Sequence, residues 1–421
     1  MRLAVANWSC RKVGGTEDYL EEVLPELVSL GYEVAFFSEC DLPANRRRIE
    51  IPAEIKFLCN SDSRNHDSVA ALERWSPDLL FNHGFLSPKL EQKLLDTAPG
   101  VFFVHNYYGT CISGAKMFKY PVMRPCSRRF GWSCLVNYFP RRCGGRNPIT
   151  MLRLFLDQSQ RLNVLRRYVA LLTTSDHMRK EFIRHGFAPE MVHKSSYLVQ
   201  AMDPAFKGGT TGAPGRRGSS EVYTLLFVGR MDQHKGGMTL LDASSVVAKS
   251  LNRKIHVIFA GDGPQRALWQ NHARSVSTSN PEVHVEFTGW VDGPALEMVL
   301  SRSDLLVVPS LWPEPFGRIG PLAGLHSMPV AAFAVGGIPE WLKEGINGHL
   351  ACGEPPTAPG LACAIVKCLS DPRHYEELRM GSLSMARRFS LVNHTKQIHE
   401  LFSSALSARR NTQLRKSRLH G

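Results

Sequence analysis

No run of apolar residues in this sequence approaches the roughly 18 needed to span a bilayer. The longest candidates, residues 305–309 and 329–335, have the length of buried strands. The apolar start, residues 1–9, is too short to be the core of a signal peptide. These absences predict a cytoplasmic protein whose first strand lies in residues 1–9.

Acidic residues are missing altogether between Asp96 and Asp157, in a chain with 51 Lys and Arg against 38 Asp and Glu. Cations near an anionic surface are attracted by about 1 kcal/mol each, and aromatic rings suit a membrane interface. Residues 111–146 are therefore predicted to capture an acceptor at the inner face of an anionic membrane, as a peripheral contact. The alternative is a solvated surface loop with its own small aromatic core. The cations are Lys116, Lys119, Arg124, Arg128, Arg129, Arg141, Arg142, Arg146 and Arg153, and Arg128, Arg129, Arg141 and Arg142 are the predicted contact residues.

Cysteine is too sparse, at ten residues, for a disulfide scaffold, so reduced thiols are expected. Four of the ten fall in the basic segment, and four thiolates are able to hold Zn²⁺ in a tetrahedral site. Their spacing lacks the C-x2-C pairs of common zinc modules, and packed thiols are the alternative. The hypothetical structural zinc ligands are Cys111, Cys126, Cys134 and Cys143.

The length of 421 residues predicts two domains. Short β-rich runs alternate with helical patterns, which is typical of parallel sheets covered on both faces. A polar, aperiodic stretch without a repeat, residues 206–221, predicts a linker between domains 1–205 and 222–385. A helix over 386–406 and a basic tail without ordered structure, 407–421, are expected to follow. The predicted strands are 3–6, 34–37, 79–82, 101–104 and 170–174, then 223–228, 255–260, 283–288, 305–309 and 330–333.

An anion site is predicted where the first strand of the second domain ends. The sequence Phe-Val-Gly-Arg ends at Arg230, and Lys235 precedes two glycines at the start of the next helix. A diphosphate is able to rest on glycine-exposed N–H groups, with Arg as a planar fork and Lys as a point charge. Both cations are expected at the surface. The alternative is a glycine-rich turn with two solvated cations.

A second loop, Pro-Ser-Leu-Trp-Pro-Glu-Pro-Phe-Gly over 309–317, follows an apolar strand. Ligands of open α/β sheets bind outside the carboxyl ends of the strands. Because prolines flank Glu314, its carboxylate is expected to be held with little entropy left to lose. The alternative is that Glu314 caps the following helix.

Three further glycine turns end strands, at 260–264, 287–290 and 336–340. With the two motifs above, their order and spacing resemble the retaining glycosyltransferases of family four, most closely over 225–350. This resemblance implies a GT-B fold: two doubly wound Rossmann-like α/β domains facing across a cleft, with the C-terminal helix returning to the first. It also implies metal-ion-independent transfer, with no cofactor, from a nucleotide sugar to a glycan or glycolipid acceptor. Specific nucleic-acid binding is not expected, because no reading module is recognisable.

The resemblance also assigns residues. It implies that Arg230 and Lys235 bind the donor diphosphate, that Glu314 contacts the transferred sugar, and that His105 lies near that sugar, with His83 as the second choice. For the turn after the first strand, a plain βα turn is the alternative to phosphate contact. The remaining implied residues are Gly14 and Gly15 at the phosphate, Phe316, Gly317, Arg318 and Ile319 at the donor sugar, and Gly261, Gly263, Gly289, Trp290 and Leu322 in the nucleotide pocket.

One residue departs from the family pattern. The family carries a second glutamate eight positions after the first, where it binds the ribose, and this sequence has Leu322 there. Losing such a charge-assisted bond costs roughly 1.5 to 3 kcal/mol of donor affinity. The sequence therefore predicts a hexosyltransferase, with a catalytically impaired paralogue that binds a sugar nucleotide or glycan as the alternative.

Overall fold

A computed structural model describes residues 1–60, 68–195, 221–291 and 293–419, with side chains described as far as 407. The chain divides into two compact units. Unit 1 comprises residues 1–115, 128–198 and 391–421, and unit 2 comprises 116–127 and 199–390. Among the described helices, none is long and apolar enough to cross a membrane. Most of the predicted linker, 206–220, lies outside the described residues.

The first half of the chain alternates strands and helices. Predicted strand positions are confirmed, although the strands at 2–9 and 33–40 are longer than expected and four short strands, at 56–59, 117–118, 124–125 and 192–194, were missed. The elements are β1 (Arg2–Ser9), α1 (Gly15–Ser29), β2 (Glu33–Cys40), β3 (Lys56–Cys59), α2 (Ser68–Trp75), β4 (Leu79–Asn82), α3 (Pro88–Thr97), β5 (Gly100–Val104), β6 (Met117–Phe118), β7 (Arg124–Pro125), α4 (Ser133–Tyr138), α5 (Pro148–Leu165), β8 (Ala170–Thr173), α6 (Asp176–Arg184) and β9 (Val192–Lys194).

The second half repeats the alternation. The elements are β10 (Val222–Val228), α7 (Gly237–Leu251), β11 (Lys254–Ala260), α8 (Arg266–Ser279), β12 (Val283–Gly289), α9 (Gly293–Ser301), β13 (Leu305–Val308), α10 (Ile319–Leu325), β14 (Val330–Phe333), α11 (Ile338–Trp341), β15 (Gly348–Ala351), α12 (Ala358–Leu369), α13 (Pro372–Ala386) and α14 (Leu391–Leu419).

Unit 1 is built on a parallel sheet of order β3-β2-β1-β4-β5-β8-β9. Helix α1 buries Tyr19, Leu20, Val23, Leu24 and Leu27, which recur at helical spacing. The helix is followed by a glycine at φ 84°, as predicted for residue 31. The chain leaves β1 toward β2 and β3 and then crosses to β4, so the order reverses between β1 and β4.

Helix α14 belongs to unit 1, as the resemblance implied for the C-terminal helix. It buries Ile398 and Phe402, and the Phe402 ring lies 5.0 Å from that of Phe81 on β4. The backbone remains helical through Leu419, whereas the sequence predicted no ordered structure after residue 406.

Unit 2 is built on a parallel sheet of order β12-β11-β10-β13-β14-β15. Its order reverses between β10 and β13, which are hydrogen-bonded neighbours. The antiparallel hairpin β6–β7 also belongs to this unit, whereas the sequence assigned the whole basic insert to the first domain. One tie between hairpin and unit is the ion pair from Arg124 Nη1 to Glu354 Oε1, at 3.3 Å.

Candidate functional site

The predicted anion site of unit 2 lies where the strand order of its sheet reverses. Arg230 follows β10 and Glu314 follows β13, so the loops that carry them leave adjacent strand ends. In open α/β sheets this reversal opens a crevice at the carboxyl edge. The topology therefore places both predicted motifs where such sheets bind their ligands.

Two glycines let the loops approach closely. Gly236 ends a 3₁₀ turn, Gln233–Lys235, at φ 73°, and a Cβ there would lie 1.8 Å from the Pro309 carbonyl oxygen. Gly336, after β14, has φ 59°, and its Cβ would lie 2.2 Å from the Glu314 carbonyl oxygen. Since only glycine fits such positions, these residues hold the loops after β10 and β14 against the loop after β13.

Lys235 and Glu314 form an ion pair inside these loops. Lys235 Nζ lies 2.6 Å from Glu314 Oε1, which also accepts a 2.5 Å hydrogen bond from Ser310 Oγ. The Glu314 side chain is 8% exposed and that of Lys235 is 23% exposed. The carboxylate thus bonds to a cation and a hydroxyl, and it does not cap α10, which begins after Arg318. The helix-cap alternative is wrong.

Glu314 is held ionised by its neighbours. Burial opposes ionisation, but the attraction of Lys235 and the hydrogen bonds from Lys235 and Ser310 outweigh it and lower the pKa of Glu314. The Lys235 ammonium also lies 5.2 Å from the centre of the Trp312 ring. His234, beside the pair, has a pKa lowered by burial and by Lys235, so it is a neutral group near neutral pH. The arrangement presents a fixed cation and a fixed carboxylate at one strand end.

Arg230 and Lys235 differ in environment. Arg230 is 67% exposed, with Nε 2.8 Å from Asp232 Oδ2, so it is the surface cation that the sequence predicted. Lys235 is not, because its ammonium turns inward to Glu314. That part of the prediction is corrected: a buried carboxylate required a partner, and Lys235 supplies it.

The implied nucleotide-pocket residues lie at the same sheet edge. The N–H of Gly261 donates to the carbonyl of Gly289 at 2.7 Å, and Met231 N–H donates to the Asp262 carbonyl at 2.9 Å. These bonds join the loops after β10 and β11 to each other and to the end of β12. Gly263 lies in the loop after β11. Trp290 is exposed at the end of β12.

The residues implied for the donor sugar open helix α10. Arg318 is its N-cap and Ile319 its first residue, while Gly317 has φ 90°. The Phe316 carbonyl accepts a 2.6 Å bond from Trp341 Nε1, so this oxygen already has a partner. Leu322 is half-buried on α10.

The two histidines implied for unit 1 follow neighbouring strands of its sheet. His83 follows β4 and His105 follows β5, and their rings join through Nδ1 of His83 and Nε2 of His105 at 2.9 Å. Burial first, and then the charges of His105 and His394, lower the pKa of His83 far below its ordinary value. The sequence proposed the two histidines as alternatives, and the fold makes them a pair.

Sequence reasoning missed the side chains that pack near the two histidines. His394 of α14 bonds to Tyr19 Oη through Nε2 at 2.9 Å and to Ser195 Oγ through Nδ1 at 2.7 Å. The Tyr19 ring lies 5.4 Å from that of His83. No spacing pattern pointed to His394, because it comes from the last helix. Ser310 was detectable, since it stands in the same loop as Glu314.

The glycine turn after β1 is partly occupied by protein groups. Gly14 is the N-cap of α1, and its N–H donates to Oε2 of buried Glu17 at 2.8 Å. Asn7 Nδ2 donates to the other oxygen at 3.1 Å. The Gly14 amide expected at a donor phosphate therefore already has an acidic partner, and Gly15 begins the helix.

The four cysteines of the basic segment are not assembled. In the described part of the chain, which includes all four, no three His, Cys, Asp or Glu side chains are grouped so as to hold a metal ion. Cys126 belongs to unit 2, whereas Cys111, Cys134 and Cys143 belong to unit 1. The fold therefore does not bring the four predicted zinc ligands into one site, because the segment that carries them is divided between the units.

Comparison with known proteins supports the resemblance. Residues 222–371 match the family model for glycosyl transferases group 1. An uncharacterized glycosyltransferase of Methanocaldococcus jannaschii is 30% identical over 147 residues, which cover 35% of this chain and 36% of that protein. D-inositol 3-phosphate glycosyltransferase 1 of Catenulispora acidiphila is 27% identical over 242 residues, 54% of each chain. The chain thus spans about a third to about half of these relatives.

Solved structures extend the comparison to the whole fold. Anabaena HepE, in complex with UDP, has a TM-score of 0.66 at 19% identity, covering 96% of this chain and all of its own. At this identity the likeness concerns the fold, and it agrees with the two parallel sheets described above. The chain therefore has the GT-B fold, and its residues 222–371 resemble the glycosyl transferases group 1 family.

Proposed function

We propose that this protein is a retaining glycosyltransferase, which moves a hexose-type sugar from a nucleotide-diphosphate sugar to a glycan, glycolipid or small-molecule acceptor. The observation that carries the proposal is the buried Glu314 carboxylate ion-paired to Lys235 at the strand reversal of unit 2. A fixed carboxylate suits sugar hydroxyls, and fixed cations suit the charge of a departing diphosphate. Arg230, exposed beside this pair, is the second cation.

The cations also give a reason to expect transfer without a metal ion. A divalent ion in other transferases neutralises the leaving diphosphate, and here Arg230 and Lys235 take that role. His105, with its ring fixed by His83, is the proposed contact of the reacting sugar in unit 1.

The proposal is tested by donor choice first and stereochemistry second. HepE has been solved with UDP-glucose, so UDP-glucose heads a panel of nucleotide sugars screened by thermal shift. A ligand that binds the folded state raises the melting temperature with concentration. The selected donor is then incubated with candidate acceptors, inositol 3-phosphate among them, in the presence of a chelator. We expect a product with the donor's anomeric configuration by NMR, and an inverted product would refute retention.

The second candidate is a paralogue that binds a sugar nucleotide without transfer. Leu322 favours it, because a half-buried leucine offers the ribose no acceptor. Slow hydrolysis of the bound donor without acceptor supports the transferase, with Glu314→Gln as the inactive control. Tight donor binding with neither hydrolysis nor transfer supports the paralogue.

A further inference from the structure

An unusual apolar surface lies on α4 and α5 of unit 1. Six large apolar side chains are exposed in this region. A single exposed apolar side chain is normal on a protein surface, whereas a group of them marks an interaction site. The six are Trp132 (75% exposed), Val136, Phe139, Ile149 (75% exposed), Leu152 and Leu156.

Helix α5 has two different halves. Its C-terminal half is anchored, because Arg161 donates to the Phe85 and Leu86 carbonyls at 2.6 and 2.7 Å, and Val164 and Leu165 are buried. Its N-terminal half exposes three large apolar side chains, Ile149, Leu152 and Leu156, which recur at helical spacing. These three occupy one face of the helix. The anchored helix thus turns an apolar stripe outward.

The two helices form one packed region. Helix α4 packs against α5, and the Phe130 ring before α4 lies 5.2 Å from that of Phe155 on α5. Tyr138 of α4 is fully buried and supports the region from within. The exposed side chains therefore sit on a folded support.

Charge identifies what this surface fits. Arg153 is exposed on α5 four residues after Ile149 and three before Leu156, and Arg128, Arg129, Arg142 and Arg146 are exposed nearby in sequence. No acidic residue occurs from 97 to 156. Apolar and aromatic side chains among arginines suit a leaflet whose headgroups are anionic, since the apolar groups enter the acyl boundary while cations meet the phosphates.

We propose that the apolar face of α4 and α5, with its arginines, docks unit 1 on an anionic phospholipid bilayer. The sequence alone pointed to the cations of residues 111–146 and the aromatic rings between them. The structure adds the apolar stripe of α5, made by Ile149, Leu152 and Leu156, which lie outside that segment. This docking goes beyond the proposed transfer reaction and does not require it.

The test measures co-sedimentation of the full chain with vesicles of phosphatidylglycerol and phosphatidylcholine. The triple variant Ile149→Ser/Leu152→Ser/Leu156→Ser removes the stripe. Leu30→Ser/Leu268→Ser/Met380→Ser removes three exposed apolar side chains elsewhere and is the matched control. A buried aliphatic side chain contributes at least about tenfold to partitioning, so the stripe variant, which loses three, should bind the vesicles about 1000-fold more weakly. The control should stay within about twofold, and both should keep wild-type circular dichroism.

Two further measurements separate this contact from simple charge attraction. Wild-type minus Trp132→Phe difference fluorescence should shift to the blue on vesicle binding, because an inserted indole leaves water. Binding should weaken but persist as the Debye length falls from about 10 Å at 0.1 M salt to about 3 Å at 1 M. Because neither donor nor acceptor is present, failure of docking and failure of transfer are distinguishable.

Three results would overturn the proposal. Equal binding of the wild-type protein to phosphatidylcholine alone and to the anionic mixture would remove the anionic specificity. Equal loss in the stripe variant and the control would remove the apolar face. If sedimentation equilibrium shows a dimer that the stripe variant dissociates, and vesicles do not bind, the face is an interface between two copies.

Discussion

Removing Lys235 should destabilise unit 2 as well as weaken donor binding. In Lys235→Met the methionine fills similar volume but leaves Glu314 without its cation, and the carboxylate is buried. Leaving one partner of a buried pair uncompensated costs about 3 to 5 kcal/mol. Because the Lys235 side chain is 23% exposed and Ser310 still donates to the carboxylate, we expect the lower end, about 3 kcal/mol.

The destabilisation should depend on pH. In the wild type, the pKa of Glu314 in the folded protein is lowered from its ordinary 4.5. The ion pair therefore stabilises the folded state above pH 4.5, and this stabilisation is lost as the pH falls through the lowered pKa. In Lys235→Met, burial acts without the opposing cation and raises the pKa of Glu314. The variant should therefore be closest to the wild type in acid, and its deficit should grow as pH rises through the raised pKa.

The assay is urea unfolding followed by tryptophan fluorescence at acidic and at mildly alkaline pH. The double variant Lys235→Met/Glu314→Gln should recover most of the loss, since it leaves a neutral amide that Ser310 still contacts. Lys194→Met is the matched control: its partner Asp176 lies 2.7 Å away, but both side chains are about half exposed, so the loss should be at most about 1 kcal/mol.

Two outcomes would refute this reasoning. A Lys235→Met deficit no larger than that of Lys194→Met at alkaline pH means that Lys235 does not compensate a buried charge. A deficit that the second substitution, Glu314→Gln, fails to reduce means that Lys235 stabilises through its packing instead.

Three other predictions concern binding and transfer. Arg230→Ala should weaken donor binding about tenfold to 100-fold by calorimetry, as expected for a lost charge-assisted bond, with surface Arg302→Ala as control; unchanged affinity removes Arg230 from the diphosphate. Leu322→Glu should tighten nucleotide binding by a similar factor and Leu325→Glu on the same helix should not, whereas weaker binding in a folded Leu322→Glu protein would mean that the nucleotide is held differently. His83→Phe frees the His105 ring to rotate, so we expect kcat to fall about tenfold with little change in donor affinity, and an unchanged kcat would show that the His105 ring needs no partner.

Much of the fold could be read from the sequence, because apolar runs and helical periodicity report burial directly. The buried strands β1, β2, β4, β5 and β8 were identified in this way, and so were β10 to β14 of unit 2. The missed strands β3, β9 and β15 have three or four residues each at the ends of their sheets, and the missed strands β6 and β7 have two residues each in a separate hairpin. Such strands need no continuous apolar run, so the pattern that finds central strands does not find them.

For the candidate site, too, part could be predicted from the sequence and part could not. Residue order and spacing, together with the family resemblance they carry, singled out Arg230, Lys235, Glu314 and His105 as candidates, and strand-end loops gather at one sheet edge whatever the details of packing. Which of these side chains pair with each other was decided only by the tertiary structure. The inward turn of Lys235 to Glu314 depends on the close approach that Gly236 and Gly336 allow.

Contacts between residues far apart in sequence could be found only from the tertiary structure. His83 meets His105 because β4 and β5 are neighbours, and His394 reaches Tyr19 because α14 packs on unit 1. The cysteines were predicted as a set from nearness in sequence, yet the fold assigns Cys126 to the other unit. The exposure of the apolar stripe on α5 could not be predicted either. Periodicity identifies an apolar face of a helix, but only the packing of the folded protein decides whether that face is covered.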